Sequence, residues 1–289
     1  LEAKGSGLGA LMNSCLEPNV KATLVVLGAA GEMGRRFIEE TSSQLEGSSS
    51  SDHVGLLTEV RVRSVGLLSR LATHPNAIVQ LRDRAFLRAL TGSIQRNHAA
   101  SAGKPAGGTD KAVLEERQYL IQILATLVST ITSPASSSST ATSSSMPPEW
   151  IVDELIAGSS SSSSSSAVLP MLVHFLPPPT TNGISEVTPE SVVIAPHKEH
   201  HVSPNLSGNV VKVIIAVIER GAEGPGARQL YDAGFLERSV SLLANEKDLS
   251  VRKNTAVAMA KAMRCASANT RVRSLRGMEM LLHLGPQLT

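Results

Sequence analysis

The chain has 289 residues, of which 42% are hydrophobic, 18% charged and 2% aromatic. That apolar share supports a folded core built from Leu, Val, Ile, Ala and Met, and it leaves few rings on which unpaired bases can stack. With 27 basic and 25 acidic residues the net charge is +2, a balance that commits the chain neither to nucleic acid nor to a membrane surface.

Along the chain, apolar residues recur at helical spacing. Leu8, Leu11 and Leu16 open the pattern, and "VKATLVVLG" follows from Val20. Val60–Leu71 ("VRVRSVGLLSRL") places Val65, Leu68 and Ala72 on one stripe and Arg63 with Arg70 on another, the signature of an amphipathic helix. Asn76 begins "NAIVQLRDRAFLRAL", and Leu114–Val128 carries Leu120, Ile123, Leu124 and Leu127 at helical intervals. Val210–Ile218 ("VVKVIIAVI") is apolar nearly all round and reads equally as a buried strand or a buried helix. Phe235, Leu236, Val240 and Leu243 precede Val251–Met263 ("VRKNTAVAMAKAM"), which is rich in the helix formers Ala, Met and Lys. No run of alternating strands with hairpin turns is present.

Between these segments lie tracts too poor in apolar surface to offset the entropy of ordering. They are Ser48–Ser51, Ser133–Pro148, Ser159–Ser166 and the Pro-, His- and Ser-rich stretch 177–208. The expected organisation is helical material over 7–132, a low-complexity region with one or two short helices over 133–208, and helical material again over 209–289.

The helical segments repeat. "VKATLVVLG", "VRVRSVGLLSRLA" and "VRKNTAVAMAKAM" each open on Val and a basic residue, and the first two start 40 residues apart, at Val20 and Val60. "NAIVQLRDRAFLRAL" parallels "NTRVRSLRGMEMLLHL", with Val79 against Val272 and Leu87 against Met280. Gly234 and Gly277, 43 residues apart, stand at matching points that suit a tight turn between helices. This pattern resembles the armadillo repeat, with the related HEAT-type repeat as the alternative. The resemblance implies an all-α solenoid in which a short helix, a second helix and a longer third helix stack on the next unit.

Peptide-binding armadillo proteins carry an Asn, often with a nearby Trp, on each third helix. Aligning Leu68 with Met259 puts Arg70 and Lys261 at the Asn position, and Gly66 and Val257 at the Trp position. The resemblance therefore implies a modestly basic surface at Arg63, Arg70, Arg252 and Lys261, suited to a protein partner with an acidic segment. On this view the chain is a non-catalytic interaction scaffold with no cofactor. A purely structural role in a larger assembly is a further reading.

The runner-up turns on Gly28, Gly31 and Gly34 in "LVVLGAAGEMGRRFIEE". It makes Ala22–Leu27 a strand and the glycines a dinucleotide-binding turn of an NAD(P)-dependent reductase. The loop resembles "GAAGxMGRR" of dihydrodipicolinate reductase, and Glu199–His201 with Ser207-Gly208 resembles that family's later motif without its catalytic Lys. No second strand ending in an acidic residue follows about 20 residues on. His197, Glu199, His200 and His201 are of metal-ligand type, but their order is not H-E-x-x-H and a solvated loop is expected.

Cys15 and Cys265 sit in apolar helical patterns and are expected to be buried free thiols in a reducing compartment, cytoplasmic or nuclear. No apolar run reaches the roughly 18 residues of a membrane span, and "LEAKGSGLGA" lacks the layout of a secretory signal.

Overall fold

The structure is a computed structural model that describes residues 2–43, 54–101, 110–129, 149–158, 167–179 and 203–288. The described residues form fifteen helices and no strand. They divide into two compact units, Leu1–Ile151 and Val152–Thr289. The serine tracts and "HKEHH" lie outside the described residues. The boundary expected near residue 208 falls inside a helix, because Pro204 starts one that runs to Arg220.

The N-terminal unit contains α1 (Glu2–Ser14), α2 (Pro18–Val26), α3 (Ala29–Ser43), α4 (Val54–Ala72), α5 (Pro75–Leu81), α6 (Arg84–Ser101) and α7 (Lys111–Ser129). α8 (Glu149–Gly158) spans the boundary between the units. Two short helices, α2 and α5, begin on Pro18 and Pro75. Proline suits a first helical position, where its missing N–H has no intrahelical partner. α4 packs beside α1 on one side and α7 on the other, while α3 packs on α6 and α2 on α5. Long helices therefore neighbour long helices and the short α2 neighbours the short α5, an arrangement compatible with a helical repeat.

The C-terminal unit follows the same plan with α9 (Val168–His174), α10 (Pro204–Arg220), α11 (Pro225–Asp232), α12 (Phe235–Asn245), α13 (Leu249–Ala262), α14 (Ala266–Ser274) and α15 (Gly277–Leu288). α10 packs on α13 and α12 on α15. The ambiguous Val210–Ile218 run is helix. Pro204 starts it, Gly221 ends it, and Val210, Val211, Val213, Ile214, Val217 and Ile218 are all buried. Asp248 caps α13, its carboxylate accepting from the amides of Ser250 at 2.8 Å and Val251 at 3.1 Å.

One turn recurs between the short helix and its successor. Gly28 (φ 81°), Gly234 (φ 85°) and Arg276 (φ 55°) each follow the first helix of a pair and precede the second. The pairing of Gly234 with Gly277 is thus off by one, since Arg276 takes the left-handed turn. Gly277 is needed for packing instead: a Cβ there would stand 2.7 Å from Met259 Cε and 2.8 Å from Val272 Cγ1.

Two other alignments are corrected. The Val20 segment is the short helix α2, not a counterpart of α4, because the chain turns at Gly28 after nine helical residues. The interval from Pro18 to Pro75 is 57 residues and that from Pro225 to Ala266 is 41, so the 40-residue spacing of Val20 and Val60 related unlike helices. Val79 is 61% exposed and Val272 fully buried, so the register shifts by two and matches Ala77 with Ala268 and Leu81 with Val272. The expected core stripes hold: Val65, Leu68 and Ala72, and Leu120, Ile123, Leu124 and Leu127, are all buried.

Candidate functional site

On α4, Glu59, Arg63, Gly66 and Arg70 share one face at helical intervals: Glu59 is exposed, Arg63 and Arg70 are half-buried, and Gly66 is buried. The two arginines act on α1 in register. Arg63 donates to Gly5 O at 2.7 Å and Arg70 to Met12 O at 2.6 Å, each reaching 58 residues back. Two bonds with the same offset hold α1 and α4 parallel. Gly5 and Gly9 make room, since a Cβ at Gly9 would lie 3.2 Å from the Arg63 guanidinium. Arg63 also pairs with Glu59, whereas Arg70 donates to an uncharged carbonyl and so brings positive charge to this face.

Sequence reasoning missed the two side chains that meet over Gly66. A Cβ there would stand 2.8 Å from Met12 Sδ and 3.0 Å from Tyr119 Cε2. Tyr119 donates to Glu115 at 2.9 Å. Burial, reinforced by that bond, pushes its phenol above the usual tyrosine range. Glu115–Tyr119 on α7 repeats the one-turn spacing of Glu59–Arg63 on α4, a pattern legible only once the helices are aligned.

Below this face lies a buried polar network. Arg61 Nε meets Glu116 at 2.6 Å, Asn97 Nδ2 donates to Glu116 at 3.2 Å and to Val113 O at 2.8 Å, and Arg117 reaches Asn97 Oδ1 at 2.9 Å and Ser101 at 2.6 Å. Burial pushes the Arg117 guanidinium down from its ordinary range. The network joins α4, α6 and α7 and satisfies its own members, as buried polar clusters must.

In the C-terminal unit, Arg252 and Lys261 both lie on α13. Lys261 is paired with Glu219 of α10 at 2.6 Å, while Val257 is 44% exposed. A groove of about 270 Å³ lies among Asp153, Ile156, Arg220, Gly221, Gly224 and Gly226, with Arg220 and Asp153 paired across it at 2.8 Å. Gly226 is required there, since a Cβ would come within 2.7 Å of Ile156.

The three glycines of the opening motif do not form one loop. Ala22–Val26 are helix rather than the strand a dinucleotide turn needs, Gly28 alone makes the turn, and Gly31 and Gly34 lie within α3. The amide of Gly31 donates to Gln80 Oε1 at 3.0 Å, and Gly34 packs so close to Leu81 that a Cβ would sit 2.8 Å from it. Both residues serve helix packing. Among the described residues no group of His, Cys, Asp and Glu is arranged to hold a metal ion, and no helix is long and apolar enough to cross a membrane. Cys15 and Cys265 are buried and unpaired by disulfide.

Comparison with protein-family models, with curated proteins and with solved structures returns no match to this chain.

Proposed function

We propose that the chain is a non-catalytic protein-interaction scaffold, each of whose units is an armadillo-like stack of helical repeats. The observation that carries this is the side-by-side packing of the long helices, α1 with α4 and α7, and α10 with α13. Such stacks present successive helix faces as one extended docking surface. Arg63 and Arg70 on α4 are the basic positions of the N-terminal unit's surface and Arg252 and Lys261 on α13 those of the C-terminal unit's, and the partner is a protein with an acidic segment. Cytoplasmic or nuclear residence fits two unpaired cysteines in a chain of this kind.

The test must respect the structural contacts of these residues. Glu at Lys261 would oppose Glu219, and Glu at Arg70 would lose the bond to Met12 O. Gln retains a donor and removes the charge. A tagged chain carrying Arg63→Gln, Arg70→Gln, Arg252→Gln and Lys261→Gln should keep its far-UV circular dichroism. Quantitative mass spectrometry should show recovery of at least one specific binding protein reduced by roughly fivefold or more, on the scale of about 1 kcal/mol. Unchanged recovery of every binder would contradict the reading. NADPH binding that Gly31→Asp abolishes would replace it with the oxidoreductase alternative.

A further inference from the structure

Two cations meet in the N-terminal unit where α1 ends and α4 gives way to α5. Arg70 donates to Met12 O at 2.6 Å, one of the last four carbonyls of α1, which lack a donor within their own helix. Lys21 of α2 donates to Thr73 Oγ1 at 2.9 Å, and that hydroxyl donates in turn to Arg70 O at 2.7 Å. The ammonium is thereby held one helical turn from Arg70. Both cations also act on the Cys15 thiol, which burial pushes up and their charge draws down. They therefore converge on one corner of the unit.

The other arginines of α4 are neutralised, Arg61 by Glu116 at 2.6 Å and Arg63 by Glu59. Lys21 and Arg70 form no ion pair among the described residues, and each donates its side-chain bond to an uncharged oxygen. Lysine carries three donors and arginine five, so most donors of this pair are unused. Thr73 is exposed and Lys21 and Arg70 are half-buried, which keeps the corner within reach of a ligand while its side chains are held in place.

We infer that Lys21, Arg70 and Thr73 form a site for a phosphorylated side chain of a protein partner. The inference rests on the scaffold reading and deepens it, by giving the acid that reaches α4 a chemical form. Charge complementarity selects that form. Lys21 and Arg70 bring two formal positive charges, of which the C-terminus of α1 offsets about half of one. A phosphomonoester brings about 1.5 to 2 negative charges and three acceptor oxygens. A carboxylate brings one charge, as does each phosphodiester of nucleic acid. Guanidinium and ammonium can both take phosphoryl oxygens, the first as a fork and the second as a point charge.

The test titrates the deuterated full chain and follows its backbone amides by nuclear magnetic resonance. The probes are a short glycine peptide with a central phosphoserine, the same peptide with Glu in that place, inorganic phosphate and a short DNA duplex. The phosphopeptide should shift amides within residues 15–21 and 70–76, and it should bind roughly fivefold more tightly than the Glu peptide. Lys21→Gln keeps a donor for Thr73, and Arg70→Gln keeps one for Met12 O. Each should weaken the phosphopeptide about three- to fivefold, and Lys21→Gln should leave the melting temperature within about 2 °C. Cations that only brace the helices would leave binding unchanged in both variants. The inference is overturned if the Glu peptide binds as tightly, if phosphate or the duplex binds here and the phosphopeptide does not, or if Lys21→Gln binds as wild type does. Lys21 lies outside the four substitutions that test the scaffold reading, so the two ideas fail separately. If the phosphopeptide does not bind while those four substitutions still lose a binding protein, the scaffold reading stands and this site falls. If those four leave every binder unchanged while Lys21→Gln weakens the phosphopeptide, the site stands without the wider basic surface.

Discussion

Glu116→Ala is expected to lower the stability of the chain by about 3–5 kcal/mol, the range for removing one member of a buried charge pair. Glu116 is 8% exposed and lies where α4, α6 and α7 meet. Its loss leaves Arg61 without its 2.6 Å carboxylate and takes from Asn97 one of its two acceptors. The desolvation already incurred by these groups then has less to offset it. Urea unfolding followed by circular dichroism measures the change. Glu39→Ala on α3 is the control, since Arg35 and Glu39 are each 59% exposed and such pairs contribute at most about 1 kcal/mol. Arg61→Met with Glu116→Leu should recover much of the loss, because an apolar pair of similar volume needs no counter-charge. If Glu116→Ala costs no more than the α3 control, the network does not bind these three helices together.

Phe235→Ala is expected to cost about 3–5 kcal/mol. Phe235 is the first residue of α12, fully buried, and directly follows the left-handed turn at Gly234. α12 touches α11, α13, α14 and α15, so a cavity at its start weakens a joint shared by several helices rather than a single contact. The same urea experiment measures it. Leu282→Ala, at a residue 73% exposed, should stay within about 0.5 kcal/mol. Similar costs for the two would mean that this joint is not close-packed.

Much of the fold was legible because buried helices leave a period in the sequence. The stripes at Val65, Leu68 and Ala72, and at Leu120 through Leu127, needed nothing more than spacing. The errors arose where local similarity outran geometry. α2 is apolar on its exposed as well as its buried side, with Val26 78% exposed and Val25 fully buried. It therefore imitated the opening of a long helix. Prolines at the starts of α2, α5 and α11 were a better marker of the repeat, since each sets the first turn of a short helix. Gly277 outranked Arg276 because glycine is the ordinary choice for a left-handed turn, and here an arginine takes it. At the site, Arg63 and Arg70 stood out by charge, but the bond of Arg63 to α1 depends on Gly5 and Gly9, 58 and 54 residues before it, and that of Arg70 on Met12, 58 residues before it. Nothing in the spacing singles out Glu116 or Asn97, and only packing brings Glu116 to Arg61 and Asn97 to Glu116.

The central claim is that the glycine-bearing opening motif is a helix–turn–helix element of a repeat stack. Backbone chemical shifts of the deuterated full chain by nuclear magnetic resonance address it directly. The account requires helical Cα shifts from Pro18 to Val26 and again from Ala29 to Phe37, broken at Gly28. Extended-strand shifts over Ala22–Leu27 would contradict it and restore the strand that a dinucleotide-binding turn needs.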